Sequence, residues 1–155
     1  MMVTLCEGSA AEERGLLEHR ELTEQIIGIF YEAYNELGSG FLESVYAKAM
    51  AVALREAGLT VEREKPIAVH FRGSVVGDFW ADIVVNGRVI CELKASPSIQ
   101  SVYEAQLLNY LRASDMEVGL LLNFGPKPQF KRLAFSHARK RSAFIRDDPR
   151  PDTVD

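Results

Sequence analysis

Residues 75–95 read VVGDFWADIVVNGRVICELKA. Val75 to Val85 and Val89 to Ala95 are rich in β-branched and apolar residues and are divided by Asn86-Gly87, the dipeptide most favoured in tight hairpin turns. Two antiparallel strands are expected. Side chains alternate along a strand, so Ile90, Glu92 and Lys94 face one way while Val89, Cys91, Leu93 and Ala95 face the other. The second set is the core. An acid and a lysine on the other face of a largely apolar strand cost stability unless the charges are paired or used. Asp82, flanked by Trp80, Ala81, Ile83 and Val84, poses the same problem on the preceding strand.

Whether Asp82 and Glu92 meet depends on the turn. A two-residue Asn86-Gly87 turn pairs Val85 with Arg88, and hence Asp82 with Cys91, which sends the two carboxylates to opposite faces. A three-residue loop, Asn86-Gly87-Arg88, or a bulge pairs Val85 with Val89 and sets Asp82 opposite Glu92. A shared chemical role for the two acids demands the second register, against the local turn propensity.

Outward from the hairpin, Val61 to Phe71 reads as a further strand, divided from Val75 by Arg72-Gly73-Ser74, so the three strands form a meander. Before it, Ile26, Phe30, Ala33, Tyr34 and Leu37 recur at helical spacing, predicting a helix over 22–37 that stops at Gly38. A second helix is expected over 41–57, with Leu42, Val45, Ala49, Val52 and Ala53 as its apolar face and Gly58 as its cap. After Ser96-Pro97, read as cap and first turn, a third helix runs to about Ala113. Val118 to Phe124 suits a strand covered on both faces, and Lys131 to Ser136 a closing edge strand. The order is ααβββαββ, an α/β (α+β) domain with a mixed central sheet flanked by helices. Residues 1–21 read as a mobile leader, 22–138 as one domain and 139–155 as a basic then acidic tail.

With 155 residues, 47% of them hydrophobic, one core is expected. No apolar run approaches the ~18 residues that would span a bilayer, and acids occupy the start where a signal peptide would be apolar, so the expected location is cytoplasmic, without membrane association. Cys6 and Cys91 are too few for a disulfide framework or a cysteine zinc cluster, which leaves oxygen to hold any metal. His19, His70 and His137 show no ligand spacing. The net charge is −4 but uneven: residues 1–125 carry net −8 and residues 126–150 net +6. The basic run is either a solvated tail or an arm that contacts phosphates.

Two carboxylates and a lysine on one sheet face have a chemical logic. Hard oxygen ligands suit Mg²⁺ or Mn²⁺, which keep several waters and bind substrate phosphates, and a lysine alongside can steady an attacking water or the charged transition state. A buried salt bridge from Lys94 to Glu92 or Asp82 is the plainer alternative. The stretch Gly40-Phe-Leu-Glu43-Ser-Val-Tyr46, together with Asp82, Glu92-Leu93-Lys94-Ala95 and Gln106-Leu-Leu-Asn-Tyr110, resembles the GxxExxY family, assigned to the PD-(D/E)xK nuclease superfamily. The resemblance covers residues 22–136, with Ala81 where the superfamily's name has a proline.

That resemblance implies a restriction-endonuclease-like fold and a Mg²⁺- or Mn²⁺-dependent nuclease acting on nucleic acid, DNA in the first instance. It implies Asp82 and Glu92 as metal carboxylates with a backbone carbonyl from Leu93, and Lys94 serving the nucleophilic water. Glu43 would reach in from its helix, and Gln106 and Tyr110 would hold the water or the scissile phosphate. Each has a bland counterpart: Glu43 as a first-turn acid in a capping box, Tyr46 and Tyr110 as core aromatics. A module that keeps the fold and binds nucleic acid or protein without cutting is the rival reading, and the acidic body supports it. A different phosphoryl-transfer enzyme ranks lower, since no glycine-rich phosphate loop accompanies the carboxylates.

Overall fold

The computed structural model describes residues 10–137, with side chains from His19 onward. The elements are α1 (Ala10–Leu37), α2 (Glu43–Glu56), β1 (Val61–Phe71), β2 (Ser74–Val85), β3 (Val89–Lys94), α3 (Ser101–Ala113), β4 (Val118–Phe124) and β5 (Pro128–Ala134). The order and the mixed α+β architecture are those expected. One five-stranded sheet runs β1-β2-β3-β4-β5, antiparallel except where β3 pairs in parallel with β4. Parallel neighbours need a crossover, and α3 supplies it.

The sheet carries a core on each face. Ile83, Val85, Cys91, Leu93, Leu120 and Phe124 meet α1 and α2 through Phe30, Tyr46 and Met50. Val84, Ile90 and Leu121 meet Leu107 and Leu111 of α3. Every residue of β4 is buried, as a strand covered on both faces requires. Each fully buried large apolar side chain contributes about 1.5–3 kcal/mol, so the centre of the sheet is a rigid platform for whatever its strand ends carry.

Several expectations need correction. The first helix begins at Ala10, inside the stretch expected to be a mobile leader. The second buries Tyr46, Ala47, Met50, Ala51 and Leu54, while Leu42, Val45 and Val52 of the predicted apolar face are exposed. The chain has two apolar stripes on this helix, and stacking of Tyr46 on Phe124 selects the other one. The third helix starts at Ser101 behind Gln100, because the Ser96 backbone is engaged elsewhere. The closing strand is Pro128–Ala134, shifted towards β4. Residues 138–155, including Arg139, Lys140 and Arg141 of the basic run, lie outside the described residues.

The hairpin between β2 and β3 reconciles propensity with register. Asn86 (φ 52°) and Gly87 (φ 63°) both take positive φ, as the centre of a tight primed turn does, and Arg88 N–H donates to the Val85 carbonyl at 3.0 Å. Yet the ladder pairs Val85 with Val89, Val84 with Ile90 and Ile83 with Cys91. Arg88 is therefore an extra residue, bulged out beyond a tight turn. The two-residue register is the one that loses.

Candidate active site

Regular pairing of β2 with β3 ends at Ile83 and Cys91, so the next positions, Asp82 and Glu92, sit where the strands part. On the other side the β1–β2 register steps from Arg63 opposite Ile83 to Lys65 opposite Ala81, passing over Glu64, whose φ is +51°. Asp82 thus lacks a regular ladder partner on both sides. Backbone groups freed in this way must find other partners, and the carboxylates provide them. Asp82 N–H donates to Glu92 Oε1 at 3.1 Å, and Leu93 N–H donates to Asp82 Oδ2 at 2.9 Å. Each side chain is held by the other's strand, which leaves one oxygen of each uncommitted to the backbone.

The electrostatic cost falls on Glu92, which is 5% exposed. Burial first, and the Asp82 charge second, push its carboxyl from the ordinary 4.5 up to about 8, while Lys94 works the other way. Two acids this close in a partly dry site share a proton or take a cation. The donors on hand are hard oxygens: two carboxylates, with the Leu93 carbonyl in the same strand. That chemistry fits Mg²⁺ or Mn²⁺. Among the described residues no group of three or more His, Cys, Asp or Glu side chains forms a metal cluster, so water or substrate oxygens would complete the shell.

Lys94 is half-buried, and its Nζ stands 4.6 Å from the ring centroid of Tyr103 on α3. Among the described residues no ion pair joins it to Asp82 or Glu92, so the buried salt bridge is not formed. Tyr110, on the same side of α3 as Tyr103, is stacked on Phe79 of β2 with centroids 3.6 Å apart. Burial and the charges of Glu92 and Asp82 raise its hydroxyl pKa. Tyr110 is thus both a packed aromatic and a neighbour of the carboxylate pair. Gln106 lies between the two tyrosines on that helix side and is exposed.

Glu43 is the first residue of α2 and is exposed; Leu42 is its N-cap, without a side-chain cap hydrogen bond, so no capping box forms. No hydrogen bond or ion pair joins Glu43 or Gln106 to the carboxylates among the described residues. The rest of the Gly40, Glu43, Tyr46 spacing has a structural account. Gly40 adopts φ +110°, a conformation that L side chains rarely take. The Tyr46 hydroxyl donates to the Gly38 carbonyl at 2.6 Å and accepts from Phe41 N–H at 3.1 Å, closing the loop that delivers Glu43 to the start of its helix.

Two positioning residues were not identified from sequence. Asn123 is fully buried at the end of β4, beside Lys94 in the parallel register. Its Oδ1 accepts from Ser96 N–H at 3.0 Å and its Nδ2 donates to the Ser96 carbonyl at 2.9 Å, clamping the chain that leaves β3 just after Lys94. Its signal was legible as the one polar side chain in an apolar run. Tyr103, under Lys94, was legible only as seven residues before Tyr110, which puts the two on one side of α3.

Comparison with known proteins adds two similarities. A family model described as the PD-(D/E)XK nuclease superfamily matches residues 20–133. Among solved structures, the crystal structure of SSO0001 superposes with a TM-score of 0.46 at 15% identity, covering 68% of this chain and 59% of that one. The chain thus spans under two thirds of that structure's length. Among curated proteins none matches.

Proposed function

Because the chain belongs to the PD-(D/E)XK nuclease superfamily, we propose that it is a divalent-metal-dependent nuclease hydrolysing nucleic-acid phosphodiester bonds, DNA in the first instance. One observation carries this reading: the bulged hairpin brings Asp82 and Glu92 together where β2 and β3 part, with Leu93 N–H bound to Asp82 and Lys94 one residue further on. The mixed α+β fold is consistent with a restriction-endonuclease-like architecture, and the Gly40, Glu43, Tyr46 spacing supports the GxxExxY branch.

Asp82, Glu92 and the Leu93 carbonyl would hold Mg²⁺ or Mn²⁺. The ion would supply neutralisation of the phosphate charge and a lowered pKa for the attacking water. Lys94, free of an ion pair with the carboxylates, is placed to donate to that water or to a phosphate oxygen, where preorganised positive charge is most effective. Tyr110 keeps its proton to a higher pH than an ordinary tyrosine and acts as a donor beside the carboxylates. Gln106, on the same side of α3, orients the phosphate, and Glu43 approaches from the start of α2.

The acidic body, net −8 over residues 1–125, favours as a second reading a module that binds without cutting. An assay over linear, nicked, branched and single-stranded DNA with Mg²⁺ and Mn²⁺ separates the two. The proposal expects metal-dependent products that disappear with Asp82→Asn. Binding without any product in either metal would establish the non-cutting module.

A further inference from the structure

Beyond Ile83 and Cys91, β2 has no pairing with β3, so Ser74–Ala81 continue with β1 alone as a two-stranded ribbon that leads directly into the candidate site. Trp80 lies on this ribbon, two residues before Asp82. At ~3.3 Å per strand residue, about 7 Å separates the two along the strand, the span of about two stacked nucleotides at ~3.4 Å each. Its neighbour Phe79 is packed on Tyr110, whereas Trp80 is 59% exposed and has no stacked ring partner among the described residues. Across the ladder it faces Pro66.

Charge strengthens the case. Residues 1–125 carry net −8 and would repel a phosphate backbone, so beside the cation and Lys94 a source of affinity other than charge is called for near the carboxylates. Stacking of a base on an aromatic ring is such a source, and it is available only to a base whose face is not already covered in a duplex. Resting on the nuclease reading of Asp82 and Glu92, we propose that Trp80 is a stacking platform for an unpaired or terminal nucleobase next to the scissile phosphate. The preferred substrates are then single strands, flaps and frayed ends, not the interior of intact duplex.

Trp80 is the only tryptophan of the chain, so its fluorescence reports the contact directly. The full chain, with Ca²⁺ as the divalent ion, is titrated with a single-stranded oligonucleotide, an abasic oligonucleotide of equal length and a covalently closed duplex. Saturable quenching is expected from the base-bearing single strand and little from the other two. Anisotropy of a labelled strand should show Trp80→Ala weakening binding about ten-fold and Trp80→Phe retaining most of it. Equal quenching by the abasic strand, or an unchanged affinity in Trp80→Ala, overturns the proposal. Cleavage by the wild type in Mg²⁺ is scored separately. Cutting without quenching sinks the stacking platform alone, whereas quenching without cutting keeps the platform and sinks the nuclease reading.

Discussion

Glu92 bears the electrostatic cost of the site, and its titration gives a signed prediction. With its carboxyl raised from 4.5 to about 8, the folded metal-free protein holds a proton that the unfolded chain has already lost across that window. Its contribution to stability is complete below 4.5 and is lost as pH rises through about 8. Thermal unfolding in chelator should therefore show a melting temperature that declines across this range, and Glu92→Gln should remove much of the decline. An identical slope in the variant would show that another group controls it. Lys94 gives a second prediction at this scale. Since it makes no ion pair with the carboxylates, Lys94→Ala should leave the melting temperature within a few degrees while lowering cleavage about 100-fold or more. A sharply lowered melting temperature, with activity following the folded fraction, would make the lysine structural.

The hairpin is the element on which the site depends. Deleting Arg88 removes the bulge and leaves Asn86-Gly87 as a plain two-residue turn that still pairs Val85 with Val89, so Asp82 stays opposite Glu92. The shortened protein should therefore keep its Mn²⁺ binding, and a well-folded variant that has lost Mn²⁺ affinity contradicts this account. At the other end of β3, Asn123→Ala strips two partners from the Ser96 backbone. It should cost about 1–3 kcal/mol in chemical denaturation, since buried polar groups are left unmet. The element order, the strands and the turn were legible because period-two apolar patterns and Asn-Gly are local signals. The buried face of α2 and the start of α3 were not legible. Two apolar stripes compete on α2, and a long-range clamp from Asn123 holds the Ser96 backbone that sequence offers as a cap. Within the site, Asp82, Glu92 and Lys94 stood out as charges in apolar strands, whereas the aromatic setting of Lys94 and Tyr110 depends on how α3 crosses the sheet.

Across the whole molecule, charge is divided between an acidic body and the net +6 segment at residues 126–150. If that segment contacts phosphates, binding to DNA weakens with rising salt, and replacing Arg139, Lys140 and Arg141 together flattens the slope. An unchanged slope would make it a solvated tail. The account as a whole rests on Asp82 and Glu92 serving one divalent cation, and titration calorimetry with Mn²⁺ on the wild type and on Asp82→Asn tests that most directly. The wild type should bind Mn²⁺ with measurable heat and Asp82→Asn should not. Equal binding by the two proteins would contradict the claim.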